Sequence, residues 1–236
     1  VNFRTESRVP IERFPHALNS VLPDDIVVVD AAEVPSEFHA RYSASSKVYT
    51  YTFWNSPFPS PFHRRYSLWV PQRLDLDAMK TAAAAFVGTH DFAAFRSTGG
   101  SALTTRRTVL MAEVDWQPAL EPACRALSAS CADAPGATGG AGAADARSSR
   151  GGDRAVVFSV EADGFLYNMV RVMAGTLLDV GLGKRGPEDV ARALAIGDRR
   201  LAGPTLPPQG LCLEIVRYEE SDSRTVRMRA RGDALQ

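Results

Sequence analysis

Cysteine is scarce in this chain, three in 236 residues, and two of them, Cys124 and Cys131, fall in a stretch of small residues. So few cysteines, so placed, make a poor disulfide framework and fit a reducing compartment. Histidine is almost as sparse. His16, His39, His63 and His90 stand apart, none beside a cysteine or carboxylate at a metal-ligand spacing, so no metal is expected. No apolar run approaches the roughly 18 residues that a membrane-spanning helix needs, and the opening residues carry no charged, apolar and small-residue leader pattern. A soluble cytoplasmic protein with no membrane partner is the expectation. Net charge is lacking too: 27 basic residues balance 27 acidic ones, so bulk electrostatics do not announce a nucleic-acid partner.

What is present is enough apolar chain for one large domain or two small ones, at 45% hydrophobic and 23% charged. The charges are unevenly spread. Acidic residues gather at Asp24, Asp25, Asp30, Glu33 and Glu37, and basic ones at Arg64 and Arg65, Arg106 and Arg107, Lys184 and Arg185, and Arg199 and Arg200. Local basic patches and ordinary solvated surface charge both fit this distribution. The first residues, "VNF", read as the end of an element already under way.

Periodicity outlines the elements. Pro10 suits a helix start, and Phe14, Leu18 and Val21 give a short helix ending before Pro23. "DIVVVDAAEVP" (25–35) alternates into a strand. In "KVYTYTFWN" (47–55) a period of two puts Tyr49, Tyr51 and Phe53 on one face and Val48, Thr50 and Thr52 on the other, which predicts a strand. "LDLDAMKTAAAAFVG" (74–88) predicts an amphipathic helix, with Leu76, Met79, Ala83 and Phe86 in register and Gly88 as its stop. "GTHDFAAFRSTGG" (88–100) then reads as a loop. "TTRRTVLMAEVDWQ" (104–117) and "RAVVFSVEADGF" (154–165) read as paired strands. Between them, residues 118–153 are rich in Ala, Gly and Ser and too poor in large apolar side chains to offset ordering entropy, so a disordered insertion is expected there. A helix follows from about Phe165 to Val180, another with Pro187 at its first position and Gly197 near its end, and a last strand in "GLCLEIVRYEE" (210–220). Strands and helices do not alternate strictly, so the fold class is α+β, an antiparallel sheet with helices on one face, rather than a doubly wound sheet.

Two features carry chemistry. Arg171 stands in "FLYNMVRVMAGTLL", where Leu166, Val170, Met173 and Leu177 form a core stripe with Met169 beside them. An unpaired guanidinium is costly to bury. Arg171 is therefore either an edge arginine bonded to a carbonyl or to water, or a fork that holds a carboxylate by two parallel hydrogen bonds. The aromatic face of 47–55 is similarly open to two readings. Tyr51 and Phe53 suit a core covered by helices, whereas Tyr49, nearest Lys47, is the best placed to stack on a base.

The strings "LNSVLPDDI", "FHARYSASSKVYTYTFWN", "FVGTHDFAAF", "TTRRTV", "DGFLYNMVRVMAGTLLDVG" and "GPTLPPQGLCLEIVRY" resemble, in order and spacing over residues 18–218, the tRNA pseudouridine synthase A (TruA) family. The resemblance implies a pseudouridine synthase fold, two ferredoxin-like halves around a basic cleft. It implies a homodimer that isomerises uridine in the anticodon stem-loop of tRNA without a cofactor. The family's nucleophile is an aspartate in a G-R-T-D phrase, followed soon by G-Q-V-x-x-F, and "VNF" matches the end of the second phrase. The aspartate is therefore expected upstream of Val1, the N-terminal half is expected to be largely missing, and this chain alone is expected to be inactive.

On this resemblance residues 1–36 are a remnant of the N-terminal half, 37–219 the C-terminal half and 220–236 a loose basic tail. Arg171 matches the arginine that pairs with the catalytic aspartate, and Tyr49 the tyrosine that stacks on the target uracil. Lys47, Arg96, Arg106 and Arg107 are candidates for phosphate contacts. Tyr49 and Arg171 are expected to converge on one cleft, on the sheet face opposite the helices. Asp91 and Asp163, the carboxylates inside matched motifs, are more simply explained as turn-closing or capping residues. The alternative to an enzyme is a non-catalytic RNA-binding module that retains the fold.

Overall fold

The strand rich in aromatic and β-branched residues, β1 (Ala44–Asn55), spans 12 residues of the computed structural model, which describes residues 1–100, 102–118 and 154–218. Beyond Pro118, the expected insertion lies outside the described residues, as does the expected tail. The chain divides into two compact units, Val1–Ser45 with the described residues from Val216, and Ser46–Ile215.

In the larger unit β1 pairs in antiparallel register with β5 (Arg154–Ala162), Tyr51 opposite Phe158. On its other side β5 pairs with β4 (Arg106–Pro118), again antiparallel, Phe158 opposite Val114. The expected pairing of the two strands is therefore observed, and β5 is the centre of the sheet. β2 (Leu68–Val70) runs parallel to the far end of β1, and β6 (Leu211–Tyr218) also pairs with β1. β3 (Gly88–Asp91) closes the other edge against β4, giving six strands in the order β2-β1-β5-β4-β3 with β6 off that path.

β3 corrects the reading of 88–100 as a loop throughout. Gly88, at φ +114°, turns the chain sharply out of the preceding helix in a conformation that a side chain would oppose, and Gly88–Asp91 then pair with Val109–Arg106. The loop begins after Asp91, whose Oδ1 accepts the Ala93 amide at 2.9 Å.

Three helices share one side of the sheet. α2 (Leu76–Ala84) starts at Asp75, whose carboxylate accepts the Ala78 amide; of its expected register Met79 and Ala83 are buried, Leu76 is half-buried, Phe86 is buried just beyond its end, and Ala82 is buried as well. α3 (Met169–Gly181) buries Val170, Met173 and Leu177, the expected stripe, and also Val172, Ala174 and Thr176, so it is covered nearly all round. It begins at Met169 rather than Phe165 because Asn168 adopts a left-handed conformation, φ +59°, just before it. α4 (Glu188–Ile196) follows Pro187 and ends at Gly197. Tyr51, Phe53, Phe86, Phe92, Phe95 and Phe158 are fully buried between these helices and the sheet. Each such side chain contributes on the order of 1.5–3 kcal/mol by leaving water. Among the described residues no helix is long and apolar enough to cross a membrane.

The smaller unit is built differently. α1 (Phe14–Asn19) follows a short 3-10 turn, Ile11–Arg13, where a short helix is expected. Phe3 packs on Phe14 at 6.0 Å between ring centres, and Phe38 on Tyr218 at 5.0 Å. Residues 25–35 do not form the expected strand. Among the described residues no strand pairs with them; instead the Asn19 amide side chain bonds both the N–H and the C=O of Val28, at 2.7 and 2.8 Å.

Candidate active site

The turn from β5 into α3 carries the candidate residues. Asp163 locks its start: its amide donates to the Thr108 carbonyl and its Oδ1 accepts the Thr108 amide, each at 3.1 Å. Phe165 then meets Tyr49 edge to face, ring centres 5.1 Å apart, and Leu166 is buried. Tyr167 turns outward while its carbonyl accepts the Ser97 amide at 3.1 Å. Asn168 follows in the left-handed region, which asparagine tolerates better than most residues.

That conformation has a use. The Asn168 Oδ1 accepts Nη1 of Arg171 at 2.8 Å, and Nε of the same guanidinium donates to the Leu206 carbonyl. Arg171 is half-buried, and among the described residues no carboxylate touches it and Nη2 makes no hydrogen bond. Of the two readings open from sequence, the carbonyl-bonded arginine describes two of its nitrogens. The remaining donors leave room for the second. The side chain is anchored by neutral acceptors and keeps its positive charge uncompensated by any described partner.

Tyr49 stands on the same face as Tyr51 and Phe53, which is the helix-covered face and not the opposite one. This corrects the expectation, and its cause is the strand period: once Tyr51 and Phe53 enter the core, Tyr49 must share their side. Tyr49 lies at the rim of that face, half-buried, and burial pushes its phenol up from its ordinary value. Two residues along the same face stands Tyr51, fully buried, whose hydroxyl donates to the Pro207 carbonyl at 2.8 Å. Burial pushes the Tyr51 phenol far up, with the Arg171 charge opposing, so this hydroxyl remains a donor at any working pH.

The remaining candidates divide into two groups. Arg107 lies over Gly164 in the same turn and donates to the Thr104 carbonyl at 3.1 Å and its hydroxyl at 3.3 Å. Arg96 is exposed next to Ser97, which bonds the turn, so both arginines flank residues 163–168. Lys47 shares the Tyr49 face of β1, opposite Ala162 of β5. Arg106, by contrast, is exposed opposite Asp91 at the sheet edge. Asp91 closes its turn on the Ala93 amide, as expected. Asp163 does not cap α3, whose N-cap is Asn168 without a side-chain cap bond, and serves the Thr108 amide of β4 instead.

Asn168 and Tyr51 were not singled out as polar site residues from sequence, and their signal was faint. An asparagine three residues before an arginine is unremarkable until the backbone is known to be left-handed.

A family model described as tRNA pseudouridine synthase matches residues 82–219, which include β4, β5, the turn and α3. A protein of Acetivibrio thermocellus named tRNA pseudouridine synthase A is 39% identical over 217 residues, covering 92% of this chain and 75% of the relative. One of the same name from Moorella thermoacetica is 41% identical over 218 residues, 92% of this chain and 74% of the relative. The chain belongs to the tRNA pseudouridine synthase A family. The turn and first residues of α3, 163–171, hold the left-handed Asn168 and the Arg171 guanidinium, and Phe165 in it meets Tyr49 of β1.

Proposed function

We propose that this protein isomerises uridine to pseudouridine in the anticodon stem-loop of tRNA, and that Arg171 holds the carboxylate that attacks the nucleoside. The observation that carries the site assignment is the anchoring of the guanidinium by Asn168 and Leu206 with donors to spare and no described carboxylate beside it. The carboxylate comes from chain outside residues 1–236. Pairing with Arg171 would keep that group ionised and aim it.

The reaction breaks the bond between the ribose C1′ and uracil N1, rotates the base, joins C1′ to C5 and loses the C5 proton while N1 takes one up, so that the product is an isomer of the substrate. It needs a nucleophile and a closed pocket and no cofactor. The uridine must leave the helical stack to be reached. Tyr49, at the rim with Phe165 bracing its edge, supplies the stacking surface, and Lys47, Arg96, Arg106 and Arg107 are proposed to meet phosphates. On the family reading the enzyme works as a homodimer in the cytoplasm. On that reading residues 1–36 belong to its N-terminal half and 37–219 to its C-terminal half.

The test is pseudouridine mapping of tRNA incubated with residues 1–236 and with the chain extended by its upstream segment. The extended chain is expected to form product and residues 1–236 none. Product from residues 1–236 alone would overturn the assignment and return attention to Asp91 and Asp163. Binding of tRNA without product by the extended chain would instead favour an RNA-binding module. In the active form Tyr49→Phe should keep most activity, and Tyr49→Leu should lose it, because the ring face is what meets the base.

A further inference from the structure

Residues 201–207, between α4 and β6, form a strap along α3, and five of their carbonyls are taken by side chains from elsewhere or from the strap's own entrance. Arg185 donates to the Leu201 carbonyl at 2.7 Å and to that of Ala202 at 3.4 Å. Arg199 donates to the Gly203 carbonyl at 2.8 Å. Arg171 takes the Leu206 carbonyl, and Tyr51 the next one, Pro207, at 2.8 Å. The Thr176 hydroxyl accepts the Gly203 amide at 2.8 Å while donating to the Val172 carbonyl at 2.9 Å. As α3 runs forward from Arg171 to Thr176, the strap runs back from Leu206 to Gly203.

Contact between the two is backbone to backbone. A Cβ added at Gly175 would collide with the Pro204 carbonyl, and one added at Gly203 with the main chain of Gly175 and Thr176. Neither obstacle is a flexible side-chain end, so an alanine at either position would lift the strap from the helix. Pro204 and Pro207 stiffen it further by fixing φ. Such density of polar anchoring on a short connection exceeds what joining α4 to β6 requires.

We propose that the strap is the device that aims Arg171, and that Tyr51 and the Gly175–Gly203 contact are positioning residues for the isomerisation, acting through it. The inference rests on the reading of Arg171 as the holder of the nucleophilic carboxylate. Arg171 hangs between two acceptors, Asn168 and Leu206; Leu206 is held on one side by its own amide, which donates to the Arg171 carbonyl at 3.4 Å, and on the other by the neighbouring Pro207 carbonyl, which accepts from Tyr51 of β1. A guanidinium set by one flexible partner would sweep an arc; set from two sides it points one way. The Tyr51 phenol, held protonated by burial, supplies this bond at every pH at which the enzyme would work.

The experiment uses the full-length protein and four variants: Tyr51→Phe, Gly175→Ala, Arg171→Ala and, as a control for general destabilisation, Val190→Ala in the core of α4. Tyr51→Phe keeps the ring in the core and removes only the bond to Pro207. It should lower kcat about five- to tenfold with tRNA affinity within about twofold. It should also move the acidic limb of the pH profile of kcat/KM upward, because a carboxylate less well held by Arg171 titrates at higher pH. Val190→Ala should lower the melting temperature and move neither. Gly175→Ala should repeat the Tyr51→Phe pattern more severely; if it does not fold, Tyr51→Phe alone decides. Unchanged kcat and pH profile in Tyr51→Phe, with Arg171→Ala inactive, would overturn the strap proposal and leave the arginine's role standing. Full activity of Arg171→Ala would remove the reading beneath both.

Discussion

The strings "DIVVVD" at 25–30 and "RAVVFSV" at 154–160 are almost equally good strand candidates, and they end in opposite conditions. Val27 and Val29 are 68% and 76% exposed, whereas Val156 and Val157 are 0% and 7% exposed. Side-chain preference does not separate them. Pairing does: β5 has β1 on one side and β4 on the other, and Val156, Phe158, Val160 and Ala162 of its inner face all lie in the hydrophobic core. Residues 25–30 have no described strand beside them, and a single asparagine side chain stands in for a neighbour at Val28. β-branched residues thus prepare a segment for a sheet, but the free energy of the strand comes from cross-strand neighbours and burial. The contrast extends to the units: no residue in 1–45 is buried, and the core lies wholly in the larger unit.

The comparison breaks most visibly in the larger unit. Phe158→Ala, at the centre of the middle strand, should cost roughly 3–5 kcal/mol in denaturant unfolding, while Val27→Ala should stay within about 0.5 kcal/mol. A Val27 variant as damaging as the Phe158 one would mean that residues 25–30 are packed after all. A smaller effect sharpens the same contrast. Asn19→Ala removes both bonds to Val28 and should cost about 0.5–1.5 kcal/mol, seen as faster amide exchange at Val28 with β5 amides unchanged. Equal loss of protection in β5 would contradict the independence of that clamp from the sheet.

What was legible in the sequence was whatever repeats over short distances. Alternation in 47–55 identified β1 and its aromatic face, helical spacing identified α2 and α3 with most of their buried stripes, and Pro187 and Gly197 marked α4. What was not legible depends on where the chain returns. Tyr51 and Pro207 are 156 residues apart, and Arg171 and Leu206 are 35 apart, so no window of sequence reveals that their atoms meet. The same limit hid the roles of Arg185 and Arg199. As neighbours in basic pairs they fitted a basic patch or solvated surface charge equally, yet burial and the nearby Arg185 lower the pKa of Arg199 below its ordinary value, and both donate to strap carbonyls. β3 was missed because four residues with one glycine show no periodicity. The left-handed Asn168, which delays α3 and supplies a bond to Arg171, has no signature beyond being asparagine. The face of Tyr49 could have been read correctly, since alternation already tied it to Tyr51 and Phe53.

The central claim, that Arg171 serves the reacting carboxylate rather than the RNA at large, is tested most directly by one measurement. Single-turnover pseudouridine formation and tRNA affinity are determined side by side for the full-length protein and its Arg171→Ala variant. The account predicts a rate lower by on the order of a hundredfold or more with affinity changed less than about threefold. A rate within about twofold of the parent, or a loss of affinity as large as the loss of rate, would contradict it.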